Sequence, residues 1–376
     1  MRIPACSHRP PCPGCPRYGH AGIGIEAASA LQELAREHGA RLDAVVEGNP
    51  LEFRVRARLA VRGRASSPKL GIFEEGSHAI VDIPRCRIHH PRINDAARAI
   101  RDAIRRSGTR PYSERTHAGL LRYVEIVVER TSGRVQITLV CNDPSEESAL
   151  PLASALVDVL GDRLHGLWWN GNDERSNTIF GPRWKRITGD EAVEEKFAGA
   201  TLFFPPGAFG QSNLDLAERL VCDLHSRVAP GLVVAELHCG VGAIGLGLVG
   251  RSRELRFNEA SATGLRGLEL GVAALAENRR AKVKIATGQA AAAHGILQGA
   301  DCVIVDPPRM GLDPETRQVL APDLLLYVSC DPLSLARDVA ELVTRSGMRL
   351  DRLTPYALFP HTRHVETLAE LTRQRR

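Results

Sequence analysis

The segment GLVVAELHCGVGAIG, residues 231–245, joins an apolar run to a glycine-rich loop. Its first part has the composition of a buried strand, and Gly240, Gly242 and Gly245 then form the pattern GxGxxG. Such a loop lets a ligand approach the backbone closely, and a helix that starts there favours an anionic group. We therefore expect a parallel sheet with a nucleotide-like ligand at the end of this strand.

The chain beyond residue 205 alternates strands with helices. The strand-like stretches are GLVVAELHC, ELRFNEA, KVKIAT, DCVIVDPP and LLLYVSC, each followed by a predicted helix, and a β-rich segment closes the chain. This alternation is typical of a doubly wound, Rossmann-like α/β domain. Ligands of such sheets bind beyond the carboxyl ends of the strands, where Cys330 is expected.

The first half of the chain has a different pattern. It predicts a helix over ~24–38, a strand from Phe53, a helix near 92–106, a hairpin over 123–141 and a helix near 148–165. We therefore expect two domains, an α+β region over 1–205 and a Rossmann-like domain over 206–376.

The strand that starts at Phe53 alternates arginine with apolar residues. One face carries Arg54, Arg56, Arg58, Arg62 and Arg64, and the other carries Phe53, Val55, Ala57, Leu59 and Val61. An arginine face on a half-buried sheet fits contact with phosphate, and a merely solvated face is the alternative.

Composition limits the class of protein. The chain has 376 residues, 43% of them hydrophobic, and a net charge of +5, which permits a nucleic-acid partner without requiring one. We see neither a signal-peptide pattern nor an apolar run of about 18 residues, so we expect no membrane contact. The unevenly placed cysteines then indicate the reducing cytoplasm.

Glu259 follows the second strand of the alternating region and can accept hydrogen bonds from ribose hydroxyls. The glycine loop with this acid fits NAD and S-adenosylmethionine equally well. Asp306-Pro307-Pro308-Arg309 follows the fourth strand, and Cys330 follows the fifth. A hydride-transfer site needs neither feature, so they favour methyl transfer.

These motifs, in this order, resemble the RNA 5-methyluridine methyltransferases over most of the chain. The similar segments are the spacing Cys6-x5-Cys12-x2-Cys15, IVDIPRC ending at Cys86, RSNTIFG, FPPGAFGQSN, ELHCGVGAIGL, IVDPPRMG, YVSCDP and FPHTRHVE. The resemblance implies S-adenosylmethionine-dependent methylation of C5 of a uridine in RNA.

The resemblance also implies residue roles. It makes Cys330 the nucleophile and Glu366 the base, with His361 and His364 ranked below Glu366. Cofactor contacts are expected from Gln211, His238, Glu259 and Asp306, together with Gly240 of the glycine loop. Position 238 is usually aromatic in the family and is His here, and Gln289 is only a candidate near adenine.

A [4Fe–4S] cluster on Cys6, Cys12, Cys15 and Cys86 is a further implication. Four thiolates alone suit zinc equally well. Because the cysteines begin at residue 6, we expect no N-terminal RNA-binding barrel, and the chain resembles the branch that acts on large-subunit (23S) ribosomal RNA. In that branch residues ~20–48 are expected to dock on the catalytic domain.

Alternatives remain open at this point. They are a tRNA uridine-C5 or RNA cytosine-C5 methyltransferase, an NAD-dependent oxidoreductase, and a non-catalytic iron–sulfur RNA-binding protein. We expect a monomer that binds RNA.

Overall fold

The computed structural model describes residues 3–373. The helices are α1 (Ile25–His38), α2 (Pro91–Ser107), α3 (Leu150–Leu160), α4 (Leu214–Arg227), α5 (Ala262–Ala273), α6 (Glu277–Arg280), α7 (Pro314–Val319) and α8 (Pro332–Ser346). The strands of the first half are β1 (Arg41–Leu42), β2 (Arg56–Arg64), β3 (Ser67–Phe73), β4 (Ile80–Asp82), β5 (Leu121–Val128), β6 (Val135–Cys141), β7 (Leu164–Gly171) and β8 (Arg183–Gly189). Those that follow are β9 (Val193–Phe197), β10 (Ala200–Phe204), β11 (Val233–Leu237), β12 (Glu254–Glu259), β13 (Val283–Thr287), β14 (Cys302–Val305), β15 (Leu324–Ser329), β16 (Met348–Tyr356) and β17 (Glu366–Arg373).

The chain forms two compact units, each built from separate stretches. The N-terminal unit contains residues 3–15, 49–195 and 205–207, and the C-terminal unit contains residues 16–48, 196–204 and 208–373.

The C-terminal unit is built on one sheet with the order β1-β16-β17-β15-β14-β11-β12-β13. Strands β11 to β15 pair in parallel, whereas β17 runs antiparallel between β15 and β16. The chain leaves β11 toward β12 on one side and reaches β14 on the other, which creates a switch point where ligands of such sheets bind. The Rossmann-like prediction is confirmed.

Two of the predicted helices are wrong. The loop after β11 continues as turns and a short 3₁₀ segment, Leu246–Leu248, and β13 is likewise followed by 3₁₀ turns. Glycine disfavours helix, and a side chain at Gly247 would approach the Ala198 carbonyl oxygen to 2.3 Å. The glycine loop therefore does not supply the helix start that the sequence predicted.

The core of the C-terminal unit lies between the sheet and helices on its face. Leu31 and Leu34 of α1 belong to the same buried cluster as Leu335 and Leu342 of α8 and strand residues such as Tyr327. Segment 16–48 thus contributes to the core of this unit.

The N-terminal unit carries a sheet with the order β4-β3-β2-β5-β6-β7-β8, on which α2 and α3 pack. The predicted elements near 53–64, 92–106, 123–141 and 148–165 are confirmed as β2, α2, the β5–β6 hairpin and α3. Among the residues described, no helix has the length and hydropathy that a membrane crossing requires.

Most arginines of the β2 face are buried or form ion pairs within the N-terminal unit. Arg56 is buried, and its burial lowers its pKa to about 10. Arg58 pairs with Glu125 at 2.7 Å and stacks over Phe180, and Arg62 pairs with Glu114. The interpretation that Arg54, Arg56 and Arg58 form one phosphate-binding row is therefore wrong for Arg56, because its guanidinium does not reach the surface.

Candidate active site

The predicted site residues of the C-terminal unit line one cavity at the carboxyl ends of the parallel strands. This catalytic cavity, lined by Gln211, His238, Glu259, Asp306, Cys330 and Glu366, has a volume of about 490 Å³. A narrower cavity of about 70 Å³ adjoins it, since Gln211, His238, Asp306 and Glu366 line both.

Cys330 lies between the end of β15 and the start of α8. Asp331 caps α8 by accepting a hydrogen bond from the Ser334 amide at 2.8 Å, and Pro332 occupies the first helical turn. Asp331 therefore fixes the turn that carries the thiol, and the preceding strand holds that turn at the cavity.

Glu366 reaches the same place from the opposite strand direction. Ser329 of β15 pairs with Thr367 of the antiparallel strand β17, so the next position outward on each strand is Cys330 and Glu366. Glu366 is 1% exposed, and its Oε2 has no hydrogen-bond partner among residues 3–373. The thiol and this carboxyl are thus brought together by strand register.

The thiol is held in its protonated form. Burial first, and then the charges of Glu366 and Asp306, raise the pKa of Cys330 to about 11, against a smaller opposing effect of Arg309. The start of α8 favours the thiolate, but a helix dipole contributes only about 0.3–1 kcal/mol, and burial outweighs it.

Burial raises the pKa of Asp306 to about 7. Burial, and next the charge of Asp306, raise the pKa of Glu366 well above its usual range. The cavity therefore contains two carboxyls of raised pKa, and that of Asp306 can exchange protons near neutral pH.

Glu259 and the glycine loop form the other end of the catalytic cavity. The carboxylate of Glu259 accepts hydrogen bonds from the amides of Gly240 at 2.7 Å and Ser261 at 2.6 Å. Gly240 and Gly242 have φ of +57° and +81°, a region that favours glycine. A Cβ built on Gly240 meets no atom within 4 Å, so the loop offers open space for a ligand.

Gln211 and His238 supply polar groups to both cavities. Burial lowers the pKa of His238, which keeps the imidazole neutral, and its buried Nε2 has no partner in the part of the chain that is described. Together with the open space at Gly240 and the carboxylate of Glu259, this orphaned nitrogen fits a site for S-adenosylmethionine.

The rival bases are placed differently. His364 lines the catalytic cavity near Arg309, with 3.4 Å between Nε2 and a guanidinium nitrogen, and burial lowers its pKa. His361 is buried against the ring of Tyr18 and lies outside the catalytic cavity lining. Gln289 is exposed after β13 and also lies outside that lining.

Glu236, in the middle of the apolar strand β11, was not singled out from the sequence. It is 1% exposed and lines the narrower cavity; within residues 3–373 neither of its carboxylate oxygens has a hydrogen bond of good geometry. Burial, followed by the charge of Asp306, raises its pKa well above the usual range. A single acid inside GLVVAEL was the available sequence signal.

Asp338 of α8 was also missed. Its carboxylate is fully buried, accepts hydrogen bonds from the Leu312 amide and the Tyr327 hydroxyl at 2.8 Å each, and pairs with Arg337. It therefore ties the loop after Asp306 to the helix after Cys330. An acid on the apolar face of a helix was the signal.

The four predicted cluster cysteines lie in the N-terminal unit. Burial raises the pKa of Cys15 to about 12, and the charges of Cys86, Cys12 and Cys6 add to this effect. Burial also raises the pKa of Cys86 and of Cys12, and Cys6 acts on both. The thiols are therefore near neighbours, although within residues 3–373 no three His, Cys, Asp or Glu side chains form a group that could hold a single metal ion.

Comparison with known proteins agrees with this arrangement. A family model described as tRNA (Uracil-5-)-methyltransferase matches residues 297–374. An uncharacterized RNA methyltransferase of Protochlamydia amoebophila is 34% identical over 97% of this chain and 96% of its own length. Another from Gloeobacter violaceus is 31% identical over 99% of this chain and 84% of its own length.

A solved structure has a similar fold. The tRNA (uracil-54, C5)-methyltransferase of Pyrococcus abyssi, in complex with S-adenosyl-L-homocysteine, superimposes with a TM-score of 0.79 at 23% identity, covering 99% of this chain and 85% of that one. The identity and coverage of these relatives show that the chain belongs to their family of RNA methyltransferases, and the family model that matches residues 297–374 is that of the tRNA (uracil-5-)-methyltransferases.

Proposed function

We propose that the chain methylates C5 of a uridine in 23S ribosomal RNA through a covalent bond between the Cys330 sulfur and C6 of the base. The observation that carries this proposal is the convergence of Cys330, Glu366 and Asp306 on one cavity that also contains the glycine loop. Gln211, His238, Gly240, Glu259 and Asp306 are proposed to hold S-adenosylmethionine.

The reaction needs addition before methylation, because C5 of uracil is a poor nucleophile. The Cys330 thiolate adds to C6, the electrons of the C5–C6 bond pass into an enolate, and C5 then attacks an electrophilic methyl group. S-Adenosylmethionine would supply that methyl group, since its methyl–sulfur bond can break and its sulfonium sulfur can leave as a neutral thioether. Glu366 removes the proton from C5, the C5–C6 double bond re-forms, and the thiolate leaves.

The first proton transfer, from the Cys330 thiol to a carboxylate of the cavity, costs less free energy than the barrier of a typical enzymatic reaction. Moving a proton from a thiol of pKa about 11 to a carboxylate of pKa about 7 costs on the order of 5 kcal/mol. A turnover of about 10 per second corresponds to a barrier of about 16 kcal/mol. Asp306 and Glu366 can therefore accept the thiol proton, and the raised pKa of the thiol does not argue against its role.

The test is methyl transfer from labelled S-adenosylmethionine to RNA, followed by nucleoside analysis of separated ribosomal and transfer RNA. We expect 5-methyluridine in 23S ribosomal RNA. Label in transfer RNA alone would show that transfer RNA, not 23S ribosomal RNA, is the substrate. Formation of 5-methylcytidine would show that the target base is cytosine. No label in any RNA would overturn the proposal. RNA from a deletion strain, lacking the same modification, gives an independent check.

We also propose a [4Fe–4S] cluster on Cys6, Cys12, Cys15 and Cys86. Four cysteines are a ligand set that iron–sulfur clusters use. Cys15 is affected electrostatically by Cys86, Cys12 and Cys6, so the four thiols lie close to one another. The buried guanidinium of Arg54, which acts on both Cys86 and Cys15, would stabilise the negative charge of such a set.

We further propose that the enzyme works as a monomer in the cytoplasm. All nine cysteines are free thiols, which fits a reducing compartment. Sedimentation at a mass near 40.9 kDa would support the monomer, and twice that mass would contradict it.

A further inference from the structure

We infer that a second cavity, in the N-terminal unit, binds one unpaired nucleotide of the substrate RNA outside the methylation target. This aromatic cavity is lined by Phe73, Tyr112, Arg122, Tyr123, Arg175 and Asn177, among others. The inference rests on the proposed function only in taking RNA as the ligand.

The aromatic cavity has the size and walls that a base needs. Its volume is about 710 Å³, within the usual range for small-molecule sites. The rings of Phe73 and Tyr123 meet edge to face with centroids 6.5 Å apart, and Tyr112 adds a third ring. Bases without a pairing partner stack on such rings, and the stacking tolerates any base.

The guanidinium of Arg62 lies close to all three rings. The guanidinium of Arg62 lies 5.3 Å from the ring centre of Phe73, 5.5 Å from that of Tyr112 and 5.4 Å from that of Tyr123. It pairs with Glu114, which also lies 2.7 Å from His78. The carboxylate of Glu114 is therefore neutralised inside the protein, and the wall does not repel an anionic ligand.

The loop that supplies Arg175 and Asn177 to the cavity lining is held by buried polar side chains. Arg122 is 3% exposed, and its Nη1 donates hydrogen bonds to the carbonyl oxygens of Asn172 and Glu174 at 2.7 Å each. The Asn172 amide, also buried, donates to the carbonyl oxygens of Thr178 at 2.7 Å and Ile179 at 2.9 Å. Residues 172–179 are thus fixed before any ligand binds.

Two side chains of this fixed loop have no partner within residues 3–373. Arg175 and Asn177 are exposed and line the aromatic cavity, and neither side chain makes a hydrogen bond or ion pair there. A guanidinium binds phosphate, and an amide pairs with the edge of a base. Ring walls, a cation and an amide on a preorganised loop together match one nucleotide of single-stranded RNA.

The experiment measures binding of the full chain to a short single-stranded RNA of mixed sequence, labelled for fluorescence anisotropy. Asn177→Ala and Tyr123→Leu should each weaken affinity about fivefold or more, whereas Tyr123→Phe, which keeps the ring, should bind nearly as the wild type does. Arg175→Gln should reduce the slope of log affinity against log salt by about 0.7, the value for one phosphate contact.

Arg106→Gln is the matched control, because Arg106 is also exposed in the N-terminal unit but lies outside the aromatic cavity lining. Ultraviolet crosslinking should also join RNA to the peptide that contains Tyr123. Because Arg175 and Asn177 are exposed, their variants should fold, and thermal melting checks this. Variants that fold and bind RNA as the wild type does would overturn the inference, and so would a wild type that does not bind RNA.

Methyl transfer by the wild type separates this inference from the proposed function. If the wild type methylates uridine but Arg175→Gln and Asn177→Ala bind RNA normally, the nucleotide site is wrong and the function stands. If the wild type transfers no methyl group but these variants still lose RNA affinity, the function is wrong and the nucleotide site stands.

Discussion

The carboxyl of Glu366 lies within electrostatic reach of Asp306, and the two line the catalytic cavity together with the Cys330 thiol. Burial and this like charge hold the pKa of Glu366 well above its usual range. A carboxylate of raised pKa is a stronger base, so the pair that suppresses ionisation of the thiol also strengthens Glu366, the group proposed to remove the C5 proton.

The roles of Cys330 and Glu366 predict two different failures. Cys330→Ala should form no covalent protein–RNA adduct, because addition to C6 needs the sulfur. Glu366→Gln should add and methylate but not release, so an adduct should accumulate that survives denaturing electrophoresis, while turnover falls about 10²–10⁴-fold. The double variant should behave like Cys330→Ala. Normal turnover by Glu366→Gln would instead favour His364 as the base, since it lines the same cavity.

The charges around Cys330 predict opposite shifts in its reactivity. Asp306 raises the thiol pKa and Arg309 lowers it, so the pH profile of iodoacetamide alkylation should move to lower pH in Asp306→Asn and to higher pH in Arg309→Gln. Mass spectrometry of the Cys330 peptide measures the rate. Asp323→Asn, a change at an exposed carboxylate, is the control and should leave the profile unchanged. Shifts in the same direction for both variants would contradict the assignment.

Glu236 predicts a pH-dependent stability. The pKa of Glu236 is higher in the folded than in the unfolded protein. The stabilisation that the protein gains from the protonated carboxyl is therefore fully present below the unfolded-state pKa of about 4.3, and it is lost as pH rises through the folded-state pKa. Glu236→Gln should therefore gain stability relative to the wild type between pH 5 and pH 8, by about 1.4 kcal/mol for each pH unit up to that value.

Urea unfolding of Glu236→Gln and of the wild type at both pH values measures this difference. Burying the uncharged amide that Glu236→Gln introduces has a free-energy cost that is the same at both pH values, so it cancels when the two differences are compared. Glu277→Gln, at an exposed position of α6, should show no change in its difference from the wild type, and an equally flat result for Glu236→Gln would contradict the prediction.

The contacts of Arg58 predict that its replacement lowers the stability of the protein rather than its affinity for RNA. Glu125 is only 4% exposed and accepts hydrogen bonds from Arg58 at 2.7 Å and from the Gly207 amide at 3.0 Å. Arg58→Gln removes the charge partner of this carboxylate and should cost about 1–3 kcal/mol of unfolding free energy. Arg98→Gln breaks an exposed pair with Asp95 and should stay within about 0.5 kcal/mol. Equal costs would show that burial of Glu125 does not matter.

The proposed cluster predicts colour and metal content. Protein purified without oxygen should be brown and contain about four irons per chain, and Cys86→Ser should lose both. Cys222→Ser, at an exposed cysteine outside the cluster, should keep both. Stoichiometric zinc in a colourless protein would overturn the iron–sulfur assignment.

The parallel strands and the long helices could be predicted because burial requires apolar residues at regular positions along each of them. The parallel strands and the long amphipathic helices were predicted from apolar runs and helical spacing, and both features reflect local chain geometry. The helix after β11 could not be rejected in the same way, because the close approach of the Ala198 carbonyl to Gly247 involves a residue that is distant in sequence.

The site was less predictable than the fold. Cys330 and Glu259 follow strands, where the sequence already points, whereas the approach of Glu366 to Cys330 depends on an antiparallel register between β15 and β17. The pairing of Arg58 with Glu125 likewise depends on which strand lies beside β2. Alternation predicts that arginines share a face, and only the neighbouring strand decides what that face contacts.

The position of β17 between β15 and β16 also governs how the enzyme is made. A ribosome that has synthesised the chain through β16 has already produced Cys330, but the strand that separates β15 from β16 and carries Glu366 is still missing. Until β17 is made, β15 and β16 each lack the strand that they pair with in the folded sheet, and unpaired strand edges can associate with other chains. Vectorial synthesis therefore delays both catalysis and protection of these edges until the last strand of the fold has been translated.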